Sequence, residues 1–363
     1  MKVGVPKETA AGERRVALTP EVAGRLAKAG HQVTVEAGAG AEAGCGDAEY
    51  QAAGATSGDP WGADLVAKVQ KPSAAEIERL RPGGALVATM GAATNAELLG
   101  QLAARSVTAF SLELLPRITR AQAMDVLSSQ ATVAGYKAAL LAADAANRFF
   151  PMLVTAAGTL PPARALVLGA GVAGLQAIAT LRRLGAVVSA FDVRAAVKEQ
   201  IESLGATFVA MEQALEGEGA GGYAKELSAD QHARELEFLA GTVKGQDVVI
   251  TTAQIPGRPA PRLITRAAVE GMKPGSVIVD LAAESGGNCE VTRAGERVVH
   301  HGVLVLGPVN LPATLPLHAS QMYAKNVQNF LQLVVKDGAF APDFQDEIVQ
   351  ATCVTRDGKV LRA

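Results

Sequence analysis

Three glycines with the spacing Gly169-x-Gly171-x-x-Gly174 have the clearest chemical meaning in this chain. They follow the apolar run Ala165–Leu168 and precede a segment with helical periodicity. In dinucleotide-binding β-α-β units the first glycine permits a tight turn. The second lets the backbone approach the pyrophosphate, and the third lets helix and strand pack closely. The helix then offers unpaired N–H groups and a positive dipole to the phosphates. The spacing therefore predicts a dinucleotide site.

A carboxylate at the expected distance supports this interpretation. The strand-like run Val187–Phe191 ends at Asp192, about 20 residues after the first glycine, where a carboxylate can accept hydrogen bonds from both hydroxyls of the adenosine ribose. That carboxylate would repel a 2′-phosphate, so NAD(H) is favoured over NADP(H), with the nearby Arg194 as the residue that argues the other way. The alternative is a glycine-rich turn without a ligand. The sequence contains one such fingerprint.

The elements around these residues alternate between strands and helices, which is typical of α/β proteins. Near the N-terminus, Met1–Pro6 and His31–Glu36 predict strands around a helix that starts at Thr19-Pro20 and stops at Gly30, with Thr19 as its cap. The same domain continues with predicted strands at Asp64–Val69, Ala85–Thr89 and Val107–Ser111 and a helix at Glu97–Ala104.

A second α/β series follows a long alanine-rich helix that is predicted to end near Asn147 and a loop with three prolines at 151–163. The polar, glycine-rich segment Met211–Glu237 predicts a lid or binding loop, or a disordered segment. The regular elements of this series are predicted at Ala165–Leu168, 172–184 (helix), Val187–Phe191, Lys198–Leu204 (helix), Thr207–Val209, Asp247–Thr251 and Ser276–Asp280.

The C-terminal part predicts an amphipathic helix at Ser320–Val335 and a hairpin at 351–361 that turns at Asp357-Gly358. The fold class expected is therefore α/β, with two Rossmann-like domains of mostly parallel sheet and a nucleotide cleft between them. The first domain is predicted to be discontinuous, comprising residues 1–130 and 306–363. The Rossmann domain that binds NAD(H) is predicted to be inserted in it as residues 131–305.

Composition narrows the function classes. The chain has 363 residues and a formal net charge of −2, from 34 basic and 36 acidic residues. This balance gives no electrostatic footprint for nucleic acid or an anionic membrane. The three cysteines are widely spaced and offer neither a disulfide framework nor a CxxC metal motif, so a reducing cytoplasm is expected. The pair His300-His301 lacks a third ligand nearby, so no metal site is predicted. No signal peptide or membrane-spanning segment is expected.

Several longer motifs resemble one known family. KETAAGERRVALTP (Lys7–Pro20) resembles the N-terminal signature shared by alanine dehydrogenases and the alpha subunits of proton-translocating nicotinamide nucleotide transhydrogenase. The resemblance covers essentially the full chain and extends to motifs of the transhydrogenase branch: PRITRAQAMDVLSSQATVAGY (Pro116–Tyr136), GGYAKE (Gly221–Glu226), TRAAVEGMKPGSVIVDLAAESGGN (Thr265–Asn288) and TCVTRDG (Thr352–Gly358). The chain is similar to the short form of such subunits, the NAD(H)-binding domain made as a separate polypeptide.

The resemblance implies which residues act. Arg117, Gln122, Asp125 and Ser128 match the loop that organises the nicotinamide end of the nucleotide. Asp125 and Ser128 are expected near the carboxamide, Arg117 at the nicotinamide end or the phosphates, and Gln122 facing the partner nucleotide. Taken without the resemblance, the charged residues of this stretch are an ordinary solvated lead into a helix.

The resemblance also implies the remaining nucleotide contacts. Besides Gly169 and Gly171, the matching positions are Val172, Ala173 and Gly174 at the pyrophosphate, Asp192, Val193 and Arg194 at the ribose, Gly222 and Tyr223 on a mobile loop, and Ala253 and Gln254 at a strand end. In relatives the position of Gln254 is apolar, so a side-chain role there departs from the family pattern. Tyr223 by itself is equally compatible with a surface tyrosine.

The function implied is direct hydride transfer between NADH and NADP⁺. Such a transfer needs two nicotinamide rings held face to face without water, and no general acid or base. Because this chain has one fingerprint, NADP(H) is expected on a partner subunit, and proton translocation on membrane subunits. The resemblance implies a homodimer attached peripherally to the cytoplasmic side of the inner membrane through those partners, with no membrane insertion of its own.

Two other functions remain open at this point. One is an NAD-dependent alanine dehydrogenase, since Arg15 and Lys68 match the substrate arginine and catalytic lysine of that family. Against it, the expected histidine is Met90 and the later aspartate is Glu284, and oxidative deamination needs proton-transfer groups. The other is a non-catalytic module that binds or senses NAD(H).

Overall fold

The structure is a computed structural model that describes residues 1–211, 228–255 and 258–362. The chain divides into two compact units. The first comprises Met1–Gln130 and Pro312–Ala363, and the second comprises Ala131–Leu311. Within the part of the chain that the structure describes, no helix is both long enough and apolar enough to cross a membrane.

The regular elements are numbered in chain order. The strands are β1 (Lys2–Val5), β2 (Gln32–Val35), β3 (Thr56–Ser57), β4 (Leu65–Ala67), β5 (Ala85–Ala88), β6 (Thr108–Ser111), β7 (Leu153–Thr155), β8 (Gly158–Leu160), β9 (Arg164–Leu168), β10 (Val187–Phe191), β11 (Thr207–Phe208), β12 (Val248–Thr251), β13 (Val277–Asp280), β14 (Arg297–His300), β15 (Val303–Leu306), β16 (Val335–Lys336), β17 (Ala339–Phe340), β18 (Cys353–Arg356) and β19 (Lys359–Val360). The helices are α1 (Pro20–Lys28), α2 (Asp47–Ala52), α3 (Ala74–Arg79), α4 (Ala96–Ala104), α5 (Val126–Ala145), α6 (Val172–Arg183), α7 (Lys198–Ser203), α8 (Ala229–Val243), α9 (Arg266–Glu270), α10 (Pro316–Val334) and α11 (Glu347–Thr352).

The first unit is built on a sheet with the strand order β19-β18-β6-β5-β4-β1-β2-β3. Strands β1 to β6 pair in parallel, whereas β18 is antiparallel to both β6 and β19. Strands β4 and β5 are buried at every position, as expected for a parallel sheet with both faces covered. Helix α10 packs on this sheet, where the rings of Phe110 and Phe330 meet edge to face at 5.3 Å.

The second unit carries the sheet of the dinucleotide fingerprint. Its strand order is β11-β10-β9-β12-β13-β15-β14, parallel except for the edge strand β14. The first five strands in this order follow the Rossmann pattern, in which chain order reverses on the two sides of β9. The predicted fold class, α/β with two Rossmann-like, mostly parallel sheets, is therefore confirmed.

Several predicted boundaries differ from the structure. Residues 151–163 contain the antiparallel hairpin of β7 and β8 rather than only a loop. This hairpin is largely exposed and lacks the apolar alternation of a buried strand. The segment predicted as a loop to Glu237 is helical from Ala229 onward, because Ser228 and Gln231 form a reciprocal capping box that starts α8.

The chain termini and caps show how local chemistry fixes the other elements. Pro20 occupies the first turn of α1, whereas Thr19 at its N-cap makes no side-chain capping bond. Helix α10 begins at Pro316, earlier than the predicted Ser320. The C-terminal hairpin turns where predicted, with Asp357 at φ 51° and Gly358 at φ 73°, the backbone that a two-residue hairpin turn requires.

A buried ion pair anchors the start of the first unit. The guanidinium of Arg15 donates from Nε to Glu13 Oε1 at 2.8 Å and from Nη2 to Oε2 at 2.6 Å. Its Nη1 donates to Gln130 in α5, and Gln130 in turn donates to the carbonyl of Ala319 in α10. The Arg15 and Glu13 side chains are 6% and 0% exposed. This network joins the N-terminal loop to the two long helices of the unit.

Replacing Arg15 by alanine should destabilise the protein strongly. The change leaves the buried Glu13 carboxylate without its counter-ion, which costs about 3–5 kcal/mol in comparable buried pairs. Urea unfolding followed by circular dichroism measures the loss. Arg25→Ala, which removes an exposed ion pair with Glu21 on α1, is the control and should cost less than about 1 kcal/mol. Equal effects of the two substitutions would show that the Arg15 pair carries no special weight.

Candidate functional site

The glycine turn between β9 and α6 has the geometry that its spacing predicts. Gly169 has φ +98°, a conformation that side chains disfavour. A Cβ on Gly174 would lie 1.9 Å from the carbonyl oxygen of Gly169, so only glycine fits there. A Cβ on Gly171 would meet nothing within 4 Å, which leaves this face of the turn open. The turn is tight on its inner side and accessible on its outer side.

The first turn of α6 faces this open side. Gly171 is the N-cap, and α6 starts at Val172, so the N–H groups of Val172, Ala173 and Gly174 have no partner within the helix. Val172 is 41% exposed. Unpaired N–H groups together with the positive end of the helix dipole form an anion site. The turn can therefore hold the pyrophosphate of a dinucleotide.

Asp192 stands at the end of β10 beside the turn. Its carboxylate accepts from the backbone N–H of Ala170 at 2.7 Å and from that of Arg194 at 2.9 Å. The Arg194 guanidinium adds two bonds of 2.8 Å, one to each carboxylate oxygen. The carboxylate is thus fixed to the glycine turn on one side and paired with a cation on the other. Arg194 is the group that ribose hydroxyls would share or displace.

An apolar pocket opens beside the same carboxylate. Its walls come from the ends of β10 and β11 and include Phe191, Val193, Phe208, Val209 and Met211. A flat, apolar ring next to a ribose-binding carboxylate is the arrangement of adenosine, so this pocket fits an adenine ring. Val193, which was predicted among the ribose contacts, is part of the pocket wall.

A second carboxylate, which the sequence reasoning missed, lies close to this end of the sheet. Glu235 in α8 is buried, and its Oε2 lies 3.1 Å from Nδ1 of His232. Burial raises the pKa of the Glu235 carboxyl, His232 lowers it, and the nearby Asp192 carboxylate adds to the rise. The adenosine end is therefore acidic, which disfavours a 2′-phosphate. The Ser228 capping box preceding α8 was the available sequence signal.

The end of β12 lies directly against the glycine turn. The hydroxyl of Thr252 donates to the carbonyl of Gly169 at 3.0 Å, and Ala253 N lies 3.2 Å from the position of a Cβ on Gly169. The side chain of Gln254 donates to the carbonyl of Leu281 at 3.1 Å. Ala253 is thus placed at the turn through its backbone, while the Gln254 amide is engaged in a contact within the protein.

In the first unit, the residues matched to the nicotinamide end lie at the start of α5. Asp125 accepts from the backbone N–H of Ser128 at 2.9 Å and from its hydroxyl at 2.6 Å, so the pair caps the helix. Arg117 and Gln122 are exposed, and Gln122 belongs to the 3-10 segment Thr119–Met124. Capping holds the Asp125 and Ser128 side chains in one orientation at the helix start.

The structure thus groups the predicted residues within each unit. The glycine turn and the residues at Asp192 and Ala253 surround one end of the second unit's sheet, and the residues from Arg117 to Ser128 lie together in the first unit. Gly222 and Tyr223 lie outside the described residues. Asp280 and Asn288, which hold the end of β12, were not predicted, because their contacts join segments far apart in sequence.

The two residues that match the alanine dehydrogenase site are both enclosed by carboxylates. Lys68 is 1% exposed, and its ammonium lies 3.2 Å from Glu8 and 3.0 Å from Glu76. Arg15 is paired with Glu13 as described above. Met90, in place of the expected histidine, is fully buried. Glu284 in the second unit is exposed and accepts from the backbone N–H of Asn310.

Sheet order, glycine turn and strand-end carboxylate together define a dinucleotide-binding α/β protein. Comparison with known proteins agrees. The N-terminal domain of the alanine dehydrogenase/PNT family matches residues 4–134, and the C-terminal domain of that family matches residues 138–363. The chain therefore belongs to the alanine dehydrogenase/PNT family, where PNT denotes nicotinamide nucleotide transhydrogenase.

Relatives place it in the transhydrogenase branch. The separately encoded first segment of the NAD(P) transhydrogenase alpha subunit of Rhodospirillum rubrum is 48% identical, covering 99% of this chain and 98% of that protein. The crystal structure of transhydrogenase from Sinorhizobium meliloti matches with a TM-score of 0.92 and 47% identity, covering 99% and 100%. Alanine dehydrogenase of Mycobacterium tuberculosis is 34% identical over 87% of this chain and 82% of its own length. The predicted resemblance, an enzyme subunit of the NAD(P) transhydrogenase type, is confirmed.

Gly174→Ala should damage both folding and nucleotide binding. The new Cβ must displace the backbone of Gly169, so we expect a loss of about 1–3 kcal/mol in stability and NADH binding weaker by roughly tenfold to hundredfold. Calorimetric titration and thermal unfolding measure the two effects. Gly241→Ala in α8, where a Cβ meets nothing within 4 Å, is the matched control and should stabilise by up to about 1 kcal/mol. NADH binding unchanged in Gly174→Ala contradicts the assignment of the turn.

Asp192→Asn should change which nucleotide binds. Loss of the charged acceptor should weaken NADH binding by about tenfold or more, and loss of the negative charge should raise NADPH affinity relative to NADH. Fluorescence titration with both nucleotides gives the ratio of dissociation constants, with Asp144→Asn at an exposed position of α5 as the charge control. An unchanged ratio would remove Asp192 from nucleotide selection.

Proposed function

We propose that this chain is the NAD(H)-binding peripheral subunit of a proton-translocating transhydrogenase. In this proposal it exchanges hydride between NADH and NADP⁺ bound on a partner subunit. The observation that carries the proposal is the glycine turn with Asp192 bonded to Ala170 N at 2.7 Å, one complete dinucleotide cradle in a chain of the transhydrogenase branch. Its test is hydride exchange after mixing with a purified NADP(H)-binding partner domain, since the isolated chain should bind NADH without turnover.

The residues of the second unit fit the adenosine diphosphate part of NADH. The N–H groups at the start of α6 would bind the pyrophosphate, Asp192 the ribose hydroxyls, and the pocket beside Phe191 and Val193 the adenine. Arg194 would move its guanidinium from the carboxylate toward the nucleotide. The acidic surroundings of Asp192 and Glu235 favour NADH over NADPH, which is the selectivity that a subunit facing an NADP(H) partner needs.

The residues at the start of α5 suit the nicotinamide end. When bound, NADH supplies a hydride from C4 of its ring, which passes to C4 of NADP⁺ and leaves NAD⁺. The chain has to orient the ring and exclude water, because this transfer involves no proton. Asp125 can accept from the amide of the carboxamide, and Ser128 can donate to its oxygen. We propose that Arg117 stabilises this end of the nucleotide and that Gln122 contacts the partner nucleotide.

The remaining components of the proposal concern the assembly. NADP(H) is held by a partner subunit, membrane subunits carry the proton path, and the chain works as a homodimer on the cytoplasmic side of the membrane. Support comes from the relatives, which are named as alpha subunits or as segments of one. It also comes from the single fingerprint, since two dinucleotides react.

The main competing function is an alanine dehydrogenase, which a 34% identical relative suggests. The charges argue against it. Arg15 is bonded to Glu13 and Gln130, and Lys68 lies between Glu8 and Glu76, so both cations already have carboxylate partners in the protein. NADH formation from L-alanine and NAD⁺ at ordinary dehydrogenase rates would overturn the proposal, whereas failure of exchange in the reconstituted mixture would favour a binding or sensing module.

Asp125→Asn and Gln122→Asn should separate chemistry from binding. Asparagine at 125 keeps an oxygen that can accept from Ser128 N, so helix α5 stays capped, but the ring is held less well. We expect hydride exchange to fall by about tenfold or more, with the NADH dissociation constant changed by less than about threefold. Stopped-flow exchange and equilibrium titration measure the two. Equal losses in rate and binding contradict a positioning role.

A further inference from the structure

Asn288 connects two segments that surround the glycine turn. Its side chain is fully buried and bonds both backbone groups of Ala253. The N–H of Ala253 donates to Oδ1 at 3.1 Å, and Nδ2 donates to the Ala253 carbonyl at 2.8 Å. Nδ2 also donates to the carbonyl of Pro261 at 2.8 Å. The side-chain amide thus clamps the chain immediately after β12.

The backbone of Asn288 is fixed as well. Its carbonyl accepts from the N–H groups of Leu263 and Ile264 at 2.8 and 3.1 Å. One residue therefore holds both Ala253 and the chain around residue 263. Every polar group of its side chain has a protein partner, so the amide is matched to this position in size and in hydrogen-bond pattern.

A buried carboxylate holds Asn288 in place. Asp280, at the end of β13, is fully buried and accepts from the hydroxyls of Thr251 and Thr292 and from the N–H groups of Ala282 and Cys289 at 2.7–3.0 Å. Two of these donors flank Asn288 in the chain, and a third lies at the end of β12. The carboxylate therefore connects the two strand ends from which the clamp is built.

The clamp reaches the glycine turn through Thr252 and Ala253. The Thr252 hydroxyl bonds the Gly169 carbonyl, and the same carbonyl lies where a Cβ on Gly174 would clash. A shift of Ala253 would thus move the groups that seat the turn and the start of α6. This gives Asn288 a path of direct contacts to the pyrophosphate cradle.

We propose that Asn288 is a positioning residue for dinucleotide binding, which it serves by fixing the Ala253 backbone against the Gly169 turn. The proposal rests on the proposed function for its ligand, NADH. Asn288 does not touch the reacting atoms. Its loss should therefore raise the KM for NADH and leave kcat of the reconstituted exchange nearly unchanged, a split that a purely structural role would not produce.

Asn288→Asp is the decisive variant because it keeps the size and the acceptor for Ala253 N but cannot donate to the two carbonyls. We expect the NADH dissociation constant and KM to rise about tenfold or more, with kcat within about twofold. Ser276→Ala removes a buried hydroxyl bond to the Gln246 carbonyl at the opposite end of the same sheet and is the control. It should lower thermal stability and leave NADH binding unchanged.

The outcomes distinguish the two proposals. Wild-type chain that fails to bind NADH overturns the proposed function. Wild-type binding with equal affinity in Asn288→Asp overturns only the positioning role, as does a fall in kcat at unchanged KM. If the Asn288 variants do not fold, Thr252→Val removes the next bond along the path, from Oγ1 to the Gly169 carbonyl. Weaker NADH binding in that variant supports the proposal, and unchanged binding overturns it.

Discussion

The close approach of Gly174 to the carbonyl of Gly169 is the constraint on which the nucleotide site depends. Because no side chain fits between them, α6 can start directly above β9, and its unpaired N–H groups face outward at the turn. The same turn gives Ala170 N to Asp192 and Gly169 O to Thr252. A helix start, a strand-end carboxylate and a neighbouring strand end are thereby fixed relative to one another, and a dinucleotide needs these three features together.

Charge placement separates binding from chemistry in this protein. In the second unit, acidic groups gather at the adenosine end, and the residues of the first turn of α6 are uncharged, so backbone groups are left to bind the phosphates. In the first unit, the buried cations Arg15 and Lys68 are paired with carboxylates, while Arg117 and Gln122 stay exposed beside a capped helix. This distribution suits an enzyme that orients a nicotinamide ring and leaves proton movement to other chains.

Local patterns allowed much of the fold to be predicted. The glycine spacing, the apolar strands of both sheets and the Asp357-Gly358 turn depend on residues adjacent in sequence, and the structure has them where predicted. The hairpin of β7 and β8 was missed because its exposed strands lack apolar alternation. The start of α8 was missed because a polar, glycine-rich segment precedes it. Asn288 and Glu235 were missed for another reason: their contacts join segments that only the folded chain brings together, and no local spacing encodes them.

Isotope transfer tests the proposed chemistry most directly. NADH carrying deuterium at the transferred position of C4 would be mixed in ordinary water with this chain, a purified NADP(H)-binding transhydrogenase partner domain and NADP⁺. Direct transfer between rings predicts NADPH with deuterium at C4 and no hydrogen from the solvent. NADPH with solvent hydrogen at C4, or no NADPH although both nucleotides are bound, would contradict it.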